Sequence, residues 1–399
     1  MGLGKTLQAI AVSSEASRRT LVVCPSYLKL NWEAEFVKFC KGKTVVWIKD
    51  KKQINHPTFS DVVATTDVLV INYEMLQACE YLFQWADTVV ADEAHYLKNM
   101  EAKRTECFHF YIEKYRPKYL HLLTGTPIKN NVDEFYSLLV LCSYDPTASN
   151  GKNILKYYPN IWAFRNRFMK KRTLIIGGRR INQYYGHENV EELKSFLADK
   201  YIRRLTSQVL YLPDIVGKMV RIKDEKNKEL DEMWETFEEN KPGNFSSAKA
   251  ASAAYKAPYT IKYVKDMLGQ GEPVVIFTDH IDSCNMIVEG LKKFGVGVIK
   301  GGVSIEKRQK VVEDFQSGKI NVVVATIGAG STGITLTRSK NVVFNDVSWV
   351  PGDNWQAMKR IHRIGQAFKC FVHYIIASSI DARIVSKVKT KKKTLEAVL

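Results

Sequence analysis

Short apolar runs rich in β-branched residues recur along the first part of the chain: Leu21-Val22-Val23-Cys24, Val45-Val46-Trp47-Ile48, Val68-Leu69-Val70-Ile71, Val89-Val90-Ala91 and Leu120-His121-Leu122-Leu123. Each is continuous rather than alternating, and stretches of helical spacing separate them. A strand that is apolar on both sides needs both faces covered, so this rhythm predicts a parallel sheet with helices on each face. From about Ser143 to Pro258 the rhythm stops. Turns with Pro, Gly and Asn, stretches such as Tyr157-Tyr158 and Lys170-Lys171-Arg172, and an acidic-basic run from Asp224 to Glu239 predict inserted helices and a linker there. The rhythm resumes at Val274-Val275-Ile276-Phe277 and continues through Val296 to Ile299, Val322 to Ala325, Val342-Val343-Phe344 and Phe371 to Ile376. A last helix is expected from Asp381 to Leu399, with Lys387, Lys389 and Lys391-Lys392-Lys393 on a solvated face, the alternative being contact with a phosphate backbone. The fold expected is α/β: two lobes, residues 1–142 and 259–380, each a doubly wound, mostly parallel sheet. Residues 143–258 are expected as helical insertion and linker, and 381–399 as a basic C-terminal helix.

With 399 residues, 45% of them hydrophobic, the chain can bury two cores of ordinary domain size. The formal charge of +17 points to a polyanionic partner, which charge alone leaves as nucleic acid or an acidic membrane surface. No apolar run approaches the roughly 20 residues that span a bilayer. A soluble intracellular protein is expected, cytoplasmic in a bacterial or phage-infected cell and nuclear in a eukaryote. The seven cysteines are scattered, with no CxxC pair and no histidine at ligand spacing, so they read as reduced, mostly buried thiols and not as a zinc site.

Three separated groups carry chemistry. Gly2 and Gly4 let backbone amides approach a phosphate at a helix N-terminus, Lys5 reaches β- and γ-phosphates, and Thr6 offers a hydroxyl to Mg²⁺. The run Thr88-Val89-Val90-Ala91 delivers Asp92 to that metal and Glu93 to an attacking water. Arg360 and Arg363 come late enough to belong to the other lobe and to meet charge developing on the transferred phosphoryl group. A lone Gly-Lys-Thr or a lone Asp-Glu pair says little. In this order they describe ATP hydrolysis in a cleft closed by two lobes. His95, beside the carboxylates, reads as a coupling residue and not as a metal ligand. Trp32, on an amphipathic stretch, reads as core and not as a platform for base stacking.

These residues carry a resemblance. Met1 to Thr6 (MGLGKT) resembles motif I, and Val22 to Phe36 motif Ia, of the Swi/Snf-type branch of superfamily 2 helicase-like ATPases. Val70 to Leu76 (VINYEML) is similar to the segment before the acidic box. Asp92 to Asn99 (DEAHYLKN) and Leu123 to Asn131 (LTGTPIKNN) resemble motifs II and III. In the second lobe, Val274 to His280 resembles motif IV, Gly301 to Gln309 the segment after it, and Ala325 to Thr337 motif V. Gln356 to Gln366 (QAMKRIHRIGQ), preceded by Trp349 and Pro351, resembles motif VI. The ending RIHRIGQ is similar to this branch rather than to strand-separating RNA helicases.

The resemblance implies an ATP- and Mg²⁺-dependent translocase on double-stranded DNA, acting in repair, replication or transcription and reading little sequence. It implies that Thr124 and Thr126 sense the nucleotide and that Gln356 positions Arg360 and Arg363. Backbone contacts to DNA are implied for Pro25, Ser26 and Lys29 in motif Ia and for Thr326 and Gly330 in motif V. The alternatives are a non-catalytic DNA-binding or transcription-accessory protein with an impaired ATP site, and an RNA-directed helicase. The chain departs from the family pattern at Ile202 to Ser207, which lacks a basic residue after the Arg-Arg step, and at Ala329 and Ser331 in motif V. It has no block resembling a chromatin-reading module, so a compact phage, viral or bacterial motor is the expected setting. Family members also carry an apolar strand and an adenine-reading glutamine motif ahead of the phosphate loop, whereas Met1 falls inside that loop. The expectation is a misassigned start, a split gene or a truncation with poor ATP binding.

Overall fold

The computed structural model describes residues 3–144, 153–176, 179–197, 200–222, 245–331, 333–378, 381–386, 388 and 390. Gly2, the run Asp224 to Glu239, Lys387, Lys389 and the residues from 391 onward lie outside them. The chain forms two compact units that divide between Arg203 and Arg204.

The first unit is built on a five-stranded, all-parallel sheet in the order β2-β3-β1-β4-β5. The strands are β1 (Thr20–Cys24), β2 (Val45–Trp47), β3 (Val68–Asn72), β4 (Thr88–Asp92) and β5 (Tyr119–Leu123). Continuous apolar sequence is explained by burial on both sides: β1, β3 and β4 are buried at every residue. On one face Val22, Cys24, Val70 and Val90 pack under helices α1 (Lys5–Ala16) and α2 (Lys29–Phe39) through Ala9, Ile10, Trp32 and Phe36. On the other, Leu21, Val23, Leu69, Ile71, Val89 and Ala91 meet helices Phe59–Thr65, Glu80–Trp85 and Lys103–Tyr115.

The faces fix the direction of the crossovers. Helix α2 carries the chain from β1 to β2, whereas the three helices of the opposite face carry it the other way, from β2 to β3, β3 to β4 and β4 to β5. This is what uniformly right-handed crossovers require. Helix α1 lies on the face of α2 and enters β1, so a strand leading into α1 comes from the β5 side. Since β4 and β5 hold the two nearest places, its seat is the free edge of β5. Strand β5 is half-buried along its whole length, unlike the strands inside the sheet.

The second unit has a six-stranded parallel sheet in the order β10-β11-β9-β12-β13-β8, β8 being Ile215–Arg221. Strands β9 (Val274–Thr278), β10 (Val296–Ile299), β11 (Val322–Thr326), β12 (Asn341–Phe344) and β13 (Cys370–Ile376) fall on the predicted runs.

Residues 143–258 differ from the expected helical insertion and linker. Ile154, Phe164, Phe168, Met169, Leu193 and Phe196 join the core of the first unit, so this half is part of that lobe. The antiparallel hairpin β6 (Lys170–Ile176) and β7 (Arg179–Tyr185) stands within it. Beyond Arg204, strand β8 (Ile215–Arg221) extends the second sheet beside β13, and helix Phe245–Gly269 runs through Pro258 and packs Ala257 and Val264 against Cys284, Ile287 and Leu291.

Candidate nucleotide-binding and hydrolysis site

Helix α1 begins where the backbone turns left-handed. Gly4 has φ 71°, a region that costs any residue with a Cβ, and Lys5 is the first helical residue. No side chain caps α1, and its first turn has no acidic residue. Its leading amides therefore face outward with the positive end of the helix dipole, as an anion site requires. Lys5 and Thr6 are half-buried beside them.

Strand β4 ends on Asp92, which is buried. Its Oδ2 accepts from Trp32 Nε1 at 2.9 Å and its Oδ1 from the Glu93 amide at 2.8 Å. Tyr73 Oη donates to the Asp92 carbonyl at 2.8 Å and stacks on Tyr96, so the strand end is clamped from two sides. Glu93 then adopts φ 51°, a left-handed conformation unusual for a glutamate, which turns its side chain away from the strand direction. Its Oε2 lies 3.1 Å from Nδ1 of buried His95. The same Nδ1 is 3.3 Å from Thr124 Oγ1, which accepts from the Thr126 amide at 3.1 Å. Glu93, His95, Thr124 and Thr126 thus form one connected chain, and the sequence-predicted coupling residues are brought together.

The adjacent carboxyls are driven apart. Burial raises Asp92 to about 6, reinforced by the negative charge of Glu93 and opposed by Trp32 and Lys5. Burial also pushes Glu93 upward, but the hydrogen bond and charge of His95, with Lys5 and Lys129, outweigh it and hold Glu93 well below the usual carboxylate range. Glu93 is therefore the carboxylate kept ionised, and Asp92 is the one short of positive charge. A hard divalent cation fits that deficit: the donors offered are a carboxylate and, from Thr6, a hydroxyl, both suited to Mg²⁺.

In the second unit Arg360 and Arg363 converge on one acceptor, the Ile334 carbonyl, at 3.1 and 3.0 Å. Arg363 also reaches Thr335 Oγ1 at 2.9 Å, and burial lowers its pKa. Arg360 Nε donates to Gln356, but to its main-chain carbonyl one turn earlier, at 3.1 Å. That contact ties Arg360 to the residue expected to position it.

The expected DNA contacts separate. Ser26 is exposed, but Pro25 is buried. Lys29 is buried too: its Nζ donates to the Ile48 carbonyl at 2.7 Å and to Asn72 Oδ1 at 3.1 Å, tying α2 to β3 and the segment after β2. Lys29 is thus an internal brace and is corrected from the phosphate-contacting set. Thr326 and Gly330 are also buried, and a Cβ on Gly330 would stand 2.6 Å from Ala325 Cβ, so packing on β11 is what demands glycine there. Trp32 and Tyr73 were missed as site residues. The available signal was a polar atom on a side chain buried in an otherwise apolar set, which requires a partner. Elsewhere Asp279, His280 and Asp346 come together; Lys249 Nζ holds Asp279 at 2.5 Å, and Thr278 Oγ1 and the Asp279 amide hold Asp346, so both carboxylates already have partners.

Comparison with known proteins adds the following. Residues 1–253 match the family described as SNF2-related domain, and residues 259–365 that described as Helicase conserved C-terminal domain. The chain is 27% identical to the SWI/SNF-related matrix-associated actin-dependent regulator of chromatin subfamily A-like protein 1 of Xenopus tropicalis, over 99% of this chain and 42% of that protein. It is 28% identical to the human DNA annealing helicase and endonuclease ZRANB3, over 95% of this chain and 36% of that protein. An uncharacterized ATP-dependent helicase of Mycoplasma genitalium is 26% identical over 99% of this chain and 39% of its own length. The chain thus spans 36–42% of the length of these relatives. Among solved structures, the Sulfolobus solfataricus SWI2/SNF2 ATPase core in complex with dsDNA aligns with a TM-score of 0.39 and 24% identity, covering all of this chain and 87% of that one.

Proposed function

The chain belongs to the SNF2-related family, and on that premise we propose that it is an ATP-dependent translocase on double-stranded DNA. The observation that carries this reading is the split carboxylate pair: Glu93 held ionised by His95 and linked through it to Thr124, beside Asp92, whose charge calls for a cation. In the proposed reaction the amides after Gly4 and the Lys5 ammonium hold the β- and γ-phosphates, and Thr6 and Asp92 hold Mg²⁺. When bound, that ion neutralises charge on the phosphate oxygens. Glu93 orients the attacking water and accepts its proton. Arg360 and Arg363 are the cations proposed to meet charge that grows on the equatorial oxygens. A change at the γ-phosphate moves Glu93, and the shared His95 Nδ1 passes that movement to Thr124 and the Thr126 amide, which makes hydrolysis mechanically readable. The +17 charge supplies the sequence-independent grip on duplex phosphates.

A second reading, DNA binding without effective turnover, is favoured by one observation: Arg360 and Arg363 are both held by the Ile334 carbonyl of their own unit. Displacement of a triplex-forming oligonucleotide from a duplex tests translocation. ATP-dependent displacement is expected. Duplex binding without displacement and without ATP consumption would select the second reading.

A further inference from the structure

We propose that the β6–β7 ribbon is an additional contact for the backbone of duplex DNA, outside the motor blocks; the proposal rests on the duplex-DNA reading above. The two strands pair over seven positions, from Lys170 opposite Tyr185 to Ile176 opposite Arg179. Lys170, Lys171, Arg172 and Thr173 on one strand and Arg180 to Gln183 on the other are exposed, so both faces of the ribbon are open to solvent. A free two-stranded hairpin is marginal in water. This one is held at its root, where Phe168 and Met169 are buried, the Glu188 amide donates to the Phe168 carbonyl at 2.8 Å, and Tyr184 Oη donates to Asn166 Oδ1 at 2.7 Å.

Its charge is of one sign. Residues 170–185 contain no Asp or Glu. None of Lys170, Lys171, Arg172 and Arg180 has an ion-pair partner among the described residues. Asp133 and Glu192 are engaged by Arg165 at 2.7 Å and Arg167 at 2.5 Å, and exposed Glu188 at the root makes no ion pair with the ribbon among the described residues. Clustered, uncompensated cations on a narrow arm repel one another, and an external polyanion relieves that cost. The shape favours a duplex. A two-stranded ribbon fits the major groove, and seven residues reach about 24 Å, enough to pass several phosphates. Ile175, 73% exposed, gives the ribbon an apolar side chain for groove walls. Single strands are held by stacking on free aromatic faces. Here Tyr184 packs against Trp162, and Arg172 lies over Tyr185.

The test is anisotropy of a labelled duplex with the full chain across a potassium chloride series, using two unrelated sequences. Combining Lys170→Gln, Lys171→Gln, Arg172→Gln and Arg180→Gln should lower the magnitude of the log–log salt slope by about 3–4, equally for both sequences, and weaken binding at low salt by more than about tenfold. Basal ATP hydrolysis should be unchanged. If the fourfold variant misfolds, the pair Lys170→Gln and Lys171→Gln decides, with an expected slope change of about 2. Parent protein that binds duplex DNA, with variants of unaltered slope, overturns the ribbon contact alone. Loss confined to single-stranded DNA also overturns it. Failure of the parent protein to bind any duplex overturns this contact together with the translocase reading.

Discussion

Trp32 Nε1 donates to Asp92 Oδ2 at 2.9 Å from an indole that is fully buried between α2 and the sheet. One residue therefore fills the core beneath the phosphate loop and restrains the carboxylate assigned to the metal. Trp32→Phe keeps an aromatic ring but removes the donor. Leaving a buried carboxylate oxygen without this partner costs roughly 1–3 kcal/mol and raises the Asp92 pKa further, which weakens Mg²⁺ binding. Urea unfolding and a Mg²⁺ titration check this, and a variant unchanged in both contradicts the restraint.

His95 holds Glu93 and touches Thr124 through one nitrogen. His95→Ala should lower kcat by roughly ten- to a hundredfold, the scale seen when the partner that orients a functional group is lost. ATP affinity should be nearly unchanged. Thr124→Val, which leaves the His95–Glu93 pair intact, should retain basal hydrolysis but blunt its response to DNA. Steady-state kinetics with and without duplex separate the two, and a His95→Ala effect on KM alone would contradict the assignment.

Two buried histidines make stability depend on pH. Burial lowers His109, and likewise His373 with Lys218 adding to it, each to about 4 from 6.5. Between those values the unfolded chain binds more protons than the folded one. Stability is therefore present above about 6.5 and is lost as pH falls toward 4, by roughly 2–3 kcal/mol for each histidine. Urea midpoints from pH 7 to pH 4.5 should fall steeply, and less steeply in His109→Gln, where the amide can still meet Ser137. A flat profile would contradict this.

Crossover handedness assigns the strand leading into α1 to the free edge of β5. A chain extended ahead of Met1 by an apolar, β-branched segment should show slower amide exchange at Leu120 and Leu122, whose N–H groups point away from β4, and tighter ATP binding, because the loop at Gly4 is then held on both sides. Unchanged exchange at β5 in the extended chain would contradict this placement.

The parallel cores were legible because strands buried on both faces have to be continuously apolar, as Leu21 to Cys24 and Val322 to Ala325 are. The phosphate loop and the Asp92-Glu93 step were legible because their chemistry tolerates few residue types. Strand β8 was not, since Ile215 to Arg221 lies at a sheet edge, half-exposed, with Gly217 and Lys218 interrupting its apolar run. Hairpin β6–β7 was hidden for the same reason: with no buried face, nothing forces alternation. Lys29 and Gly330 show the other limit. A lysine beside a motif reads as a phosphate contact and a glycine as a place of close ligand approach, yet three-dimensional packing gives both to the interior.

The most direct test of the central claim is ATP turnover with duplex DNA, with RNA and with neither, in the parent chain and in Glu93→Gln. Duplex DNA of any sequence should stimulate hydrolysis and RNA should not. Glu93→Gln should still bind ATP while turnover falls about 10²–10⁴-fold. Stimulation by RNA alone, or a Glu93→Gln protein that hydrolyses ATP at the parent rate, would contradict the account.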